Sequence, residues 1–146
     1  TFDFEQLIND KKETGNCIIS FNNKMMCKYD ETGKLIVSNG KTLLIKNKSS
    51  NFANTYKTEN TYFKYFLNKE FLISKIMGNV VEKEQNFLLL INDQSNQLSI
   101  YYDKKNYLIK DWETIDLYGN RVRSNIIIKN INQKLSDNIF NLNLYN

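Results

Sequence analysis

Apolar and polar residues alternate along most of this chain, and turn-forming residues cut the alternation at short intervals. The clearest stretch is residues 15–40, GNCIISFNNKMMCKYDETGKLIVSNG. One apolar run (Cys17, Ile18, Ile19) ends at Asn22-Asn23. A second carries Met25, Met26, Cys27 and Tyr29. A third, Leu35 to Val37, follows a glycine turn. Runs punctuated in this way predict an antiparallel meander. With Phe21-Asn22-Asn23 as a three-residue hairpin loop, Ser20 faces Lys24 and Cys17 faces Cys27. Opposed residues on antiparallel strands have Cβ atoms about 4.5–5.5 Å apart, and a disulfide needs about 3.5–4.5 Å. A small adjustment therefore lets the two cysteines staple the register of the first hairpin.

The rest of the chain repeats the pattern. Thr1 to Gln6 alternates Phe2 and Phe4 with Asp3 and Glu5 and reads as a strand, and Asn9 to Thr14 reads as a polar link. Lys41 to Asn47 is a strand entered by the Asn39-Gly40 turn, and Ser49 to Glu59 is a loop or an edge strand. The period then changes. Over residues 61–77 the apolar positions recur at i, i+3 and i+4, which predicts a helix, with Asn68-Lys69-Glu70 as a possible break into two. After Gly78 the period of two returns over Asn79–Lys83, Asn86–Asn92, Gln97–Asp103 and Asn106–Trp112, with turns at residues 93–96 and 103–106. Glu113–Leu117, a turn at Tyr118-Gly119-Asn120, Arg121–Asn130 and a closing strand Phe140–Tyr145 complete the series. Successive strands with short connections give an up-and-down antiparallel sheet, and a sheet of this many strands curls. The predicted fold is mainly β: an incomplete, half-open antiparallel β-barrel of about ten or eleven strands, with the 61–77 segment as a helical lid over its concave face.

Composition narrows the chemistry. A length of 146 residues fits one domain, 1–146, and 41% apolar residues suffice for a core. No apolar run approaches the roughly 20 residues of a membrane span. The chain opens at Thr1 without a basic-plus-apolar leader, so a signal peptide is expected to have been removed or never present. The net charge of +4 is spread over scattered lysines and short pairs such as Lys11-Lys12 and Lys104-Lys105, which does not make a nucleic-acid surface. Lysine also blunts exposed sheet edges. The chain has no His, which excludes Ser-His-Asp and Cys-His catalysis and any His-containing zinc site, and two Cys alone hold no structural zinc. Two cysteines fit one disulfide in an oxidising compartment or two free thiols in a cytosol, and their cross-strand alignment favours the disulfide. Asp111, Glu113 and Asp116 cluster around Trp112. On a strand, Asp111 and Glu113 share one face and Asp116 points away, which describes a solvent face better than a catalytic pair. No enzyme and no cofactor are expected.

The motifs in order resemble a known family. TFDFEQ, then GNCIISFNNKMMCKY, then LIVSNGKTLLI are similar to the periplasmic lipoprotein carriers of the LolA type. Phe4–Gln6, Gly15, Phe21–Tyr29 and Val37–Leu44 occupy the places of the family's Phe-x-Gln opening, Gly-led strand, hairpin and following strand. Asp116-Leu117-Tyr118-Gly119-Asn120 looks like its D-x-x-G-[NQ] turn, and Asn130 followed by Phe140 like its closing strands. The family's hairpin Arg falls here on Phe21, its Pro on Asn22, and its hairpin aromatic near Met25. The resemblance implies an incomplete β-barrel closed by helices. It also implies a non-enzymatic, monomeric carrier in the periplasm of a Gram-negative bacterium that binds the acyl chains of lipoproteins or other lipids. Such a carrier takes cargo from an inner-membrane release complex and passes it to an outer-membrane acceptor. An N-terminal helix normally precedes the first strand of these carriers, so one is expected to lie before Thr1. Ile19, Phe21 and Met25 on the hairpin, with Phe63, Phe66, Leu67 and Phe71 on the helical segment, are then the expected ligand-binding residues. Each methylene they enclose contributes about 0.8 kcal/mol. The alternative is a lipid-binding or protein-interaction module whose barrel is filled by its own side chains.

Overall fold

The computed structural model describes residues 1–20, 23–50, 52–93, 96–115 and 119–145, with the side chains of Phe66, Asp93 and Asn96 outside that description. The first six strands are β1 (Phe2–Ile8), β2 (Lys11–Ser20), β3 (Lys24–Tyr29), β4 (Leu35–Asn39), β5 (Thr42–Lys46) and β6 (Ala53–Lys57). Two helices follow, α1 (Phe63–Leu67) and α2 (Lys69–Asn79). The chain then forms β7 (Val80–Glu82), β8 (Asn86–Asp93), β9 (Asn96–Asp103), β10 (Ile109–Ile115) and β11 (Arg121–Ile128). All eleven strands belong to one antiparallel sheet in the order β6-β5-β4-β3-β2-β1-β11-β10-β9-β8-β7. Every neighbouring pair is consecutive in the chain except β1 and β11, which run antiparallel with Phe2 opposite Ile128 and Ile8 opposite Val122. The two free edges are thus consecutive strands, β6 and β7. The chain joins them through α1 and α2 rather than through hydrogen bonds, and the barrel is left unclosed.

The first hairpin has the expected register, with Ser20 opposite Lys24 and Cys17 opposite Cys27. The two cysteines form a disulfide, with Cα atoms 4.1 Å apart. The helical segment does break near residue 68. The Asn68 Oδ1 accepts a hydrogen bond from the Phe71 N–H at 2.9 Å and caps α2, and Gly78 at φ +87° ends its regular turns.

Three expectations need correction. Asn9 to Thr14 is not a link, because β2 begins at Lys11. A two-residue turn suffices, since Asn9 and Asp10 both take positive φ, 46° and 64°, the twist that tight hairpins require. Asn106–Trp112 and Glu113–Leu117 are not two strands. β10 runs unbroken from Ile109 to Ile115 and absorbs the irregularity as a register shift against β9 between Ile109 and Asp111. Phe140–Tyr145 is not a strand but two short 3₁₀ turns, Asp137–Phe140 and Leu142–Leu144. The Ser136 Oγ accepts from the Asn138 N–H and the Asn141 Oδ1 from the Asn143 N–H, so local side chains satisfy the backbone in place of a ladder.

Alternation along the strands sends one set of side chains to each face. The inner face gathers Phe2, Phe4, Cys17, Met25, Cys27, Ile36 and Leu43 from the first half of the sheet. Leu89, Ile91, Leu98, Ile100 and Ile126 come from the second, and Phe63, Tyr65, Leu67 and Leu72 come down from the helices. The outer face has a smaller cluster, in which Phe140, 3% exposed, holds the C-terminal segment against Met26 and Val37.

Candidate functional site

Where β2 turns into β3, the helices and the sheet do not meet. A cavity of about 450 Å³ remains between Leu72 of α2 and the inner face of β1, β11, β10 and β9. Strand register builds its walls: Phe2 lies opposite Ile128, and Trp112 lies opposite both Ile100 and Ser124. Phe2 and Trp112 meet edge to face with ring centroids 5.8 Å apart. Ile126, Ile128 and Tyr102 add apolar surface, and residues 130–133 and Tyr107 form the rim. No charged side chain lines it among the described residues. Its volume falls in the range of ligand pockets, about 300–1,000 Å³. A second hollow, about 490 Å³, lies under the helices nearer β6 and is more polar, lined by Thr58, Glu59, Lys64, Asn68 and Phe71.

The opposite end of the inner face is closed by polar side chains. The Gln6 amide donates to Glu13 Oε2 at 2.9 Å, and the Lys34 ammonium reaches the same oxygen at 3.3 Å while lying 3.7 Å over the Tyr29 ring. Phe4 packs edge to face on Tyr29 at 4.8 Å. The interior is therefore an apolar groove, open at one end and sealed at the other by a hydrogen-bonded polar cluster, as buried polar groups require.

Of the residues expected to hold a ligand, Ile19 lines the apolar cavity and Phe71 the second hollow. Met25 (1% exposed), Phe63 (8%) and Leu67 (0%) are packed between sheet and helices. Phe21 and the Phe66 side chain lie outside the described residues. The sequence reading missed Leu72, Tyr102, Ile126 and Ile128. A signal was present for the last two, because Arg121–Asn130 alternates and β1 alternates in the same phase, but only the pairing of β1 with β11 shows that they share a wall. Asp111 and Glu113 do share the outer face. Asn125 Nδ2 donates to Asp111 Oδ1 at 3.2 Å with Arg123 at 3.7 Å, and Arg121 lies 3.5 Å from Glu113. This is a structural charge ladder, and Asp116 lies outside the described residues. Among the described residues, no group of three Cys, Asp or Glu could hold a metal ion.

Burial in this interior disfavours the charged form of tyrosine. It pushes Tyr62 and Tyr102 from 10.0 up to about 12, and raises Tyr29 further, helped by the nearby Tyr62 and Glu13. A phenol whose pKa is raised by folding contributes stability that is complete below pH 10 and is lost as the pH climbs through the folded value. The protein should accordingly lose stability as the pH rises above about 10, in a transition that these three phenols help to drive. Phenolate absorbance should show that three of the nine tyrosines ionise only with that transition. Titration of Tyr29, Tyr62 and Tyr102 near pH 10 with the fold intact would contradict this burial.

The chain was compared with known proteins. A family model described as outer membrane lipoprotein carrier protein LolA matches residues 1–143. No curated protein matches the chain at a significant level. Among solved structures, a LolA superfamily protein from Nitrosomonas europaea aligns with 98% of this chain and 90% of its own, at 9% sequence identity and a TM-score of 0.49.

Proposed function

Because the chain belongs to the LolA family of outer membrane lipoprotein carriers, we propose that it carries acylated lipoproteins through the periplasm without catalysing any reaction, holding their acyl chains in the cavity beside α2. The observation that supports this most directly is a cavity of about 450 Å³ whose lining carries no charged side chain among the described residues. Such a site takes hydrocarbon through burial alone and asks no specific polar contact of the cargo, which suits a carrier of many lipoproteins with the same anchor. Release needs an opening path. α2 supplies one, because Leu72 is its only buried side chain among the described residues.

Trp112 is the only tryptophan and stands in the cavity wall, so it reports on occupancy. A dipalmitoylated lipopeptide should change its emission saturably, and each loss of two methylenes from the acyl chains should weaken binding on the order of tenfold. Leu72→Arg, which places a charge in the apolar wall, should weaken binding more than about tenfold by the same burial argument. A folded protein with no saturable response would favour the other reading, a module whose barrel is filled by its own side chains. The near-complete burial of Met25, Leu67, Leu89 and Leu98 gives that reading its footing.

A further inference from the structure

The chain's charge is not evenly spread. Residues 41–57 carry four lysines (Lys41, Lys46, Lys48 and Lys57) and no acid, while the remaining 129 residues contain 16 basic and 16 acidic side chains. The whole net charge of +4 therefore sits on one element, the β5–β6 hairpin. That hairpin is also an open sheet edge. It displays two large aromatic side chains, Phe52 at 83% exposure on the tip and Tyr56 at 49% on the edge strand. The Ser50 N–H donates to the Asn47 carbonyl at 3.0 Å, and Ser50 Oγ bonds both the N–H and the carbonyl of Phe52, which holds that ring out.

Edge protection alone does not explain this arrangement. Protection asks for lysine, but not for exposed aromatics. The other open edge, β7, meets the same hazard with no charge excess: Val80 and Val81 are followed by Glu82, Lys83 and Glu84, and Glu82 pairs with Lys104 at 2.6 Å. On β6 the only acid nearby is Glu59, 3.9 Å from Lys57 with both side chains exposed, and Lys41 and Lys48 have no acidic partner among the described residues.

We propose that the β5–β6 hairpin is a second binding surface, which docks the protein edge-on to the anionic headgroups of a lipid bilayer. Lysines at both ends of a short hairpin match a flat anionic plane. An exposed Phe52 suits the soft interface of a bilayer, where aromatic rings partition. Lys41, Lys48 and Lys57 supply the attraction. Lys46 is spent on the Tyr145 carbonyl, 2.8 Å away. The surface is independent of cargo, and it would bring the cavity to a membrane without any acylated partner present.

Sedimentation with vesicles tests this. The wild-type protein should bind phosphatidylethanolamine vesicles containing phosphatidylglycerol, bind them more weakly but still measurably as salt rises, and ignore phosphatidylcholine vesicles. Each lysine is expected to contribute about fivefold, so Lys41→Gln, Lys48→Gln and Lys57→Gln together should weaken binding on the order of a hundredfold. These three side chains are exposed, and an unchanged circular dichroism spectrum would show that the variant is folded. Phe52→Ser should weaken binding several-fold at high salt, where the lysines no longer dominate. Leu72→Arg should leave vesicle binding intact while it weakens acyl binding, which separates this surface from the cavity. The proposal is overturned by failure to bind phosphatidylglycerol vesicles, or by full binding of the triple variant. Tight binding of poly-L-glutamate with none to vesicles also overturns it, and would assign the hairpin to an acidic protein partner.

Discussion

Gly15→Val should destabilise the fold by at least about 3 kcal/mol, near the upper end of what overpacking costs. Gly15 sits in β2 directly opposite Phe4, whose ring lies across it. A Cβ built there overlaps the Lys28 carbonyl oxygen and comes within 2.7 and 2.8 Å of Phe4 Cζ and Cε1. Neither neighbour can retreat. The Lys28 carbonyl belongs to β3, which pairs with β2 through Gly15 opposite Tyr29. Phe4 is 5% exposed and packed on Tyr29. The glycine is required for space, so Gly15→Ala should already be costly and valine worse. Urea unfolding of both variants is the measurement, and an alanine variant within about 0.5 kcal/mol of the wild type, the ordinary range of a surface change, would show that the strands can part.

The Cys17–Cys27 disulfide should be worth nearly as much. It closes a loop with a sequence separation of 10, and the loop-closure entropy of a cross-link that short is about 3 kcal/mol. Both sulfurs are buried on the inner face, at 2% and 5% residue exposure, so Cys17→Ala with Cys27→Ala also removes packed volume. Reducing agent should bring the wild type down towards the double variant and leave that variant unmoved. Because Ile19 lies two residues from Cys17 and lines the cavity, release of bound acyl chain should also quicken in the variant. Unchanged stability together with unchanged release would sink the idea that the staple stiffens the cavity wall.

What the sequence made legible was local. The first hairpin, its register and the cysteine pairing follow from spacing across one short loop. The two-piece helix follows from a change of period and from Asn68. What it hid depended on partners distant in the chain. Phe140, Leu142 and Leu144 alternate like a strand, yet no partner strand is free at that face, and Ser136 and Asn141 offer the backbone a local alternative. Only burial separates the three: Phe140 is 3% exposed and Leu144 63%. The cavity illustrates the same limit. An inner-face alternation over residues 17–27 marks apolar side chains, but Met25 is fully packed while Ile19 borders open space. The difference is set by where α2 comes down and by the β1–β11 joint, neither of which leaves a mark at residues 17–27.

That joint also orders the assembly of the protein. Phe2 and Ile128 are neighbours in the sheet although almost the whole chain lies between them. Nine of the strands pair with the strand made just before them, but the second partner of β1 is the last strand of all. Until β11 pairs with β1, the chain is two meanders, β1–β6 and β7–β11, tethered at the helices, and the apolar wall shared by Phe2, Ile126 and Ile128 does not exist. A pairing of such distant segments must meet the entropy of closing a long loop before its contacts reward it, which makes it a slow step. The apolar cavity is therefore among the last features to form, so a half-folded chain has no finished apolar wall to offer.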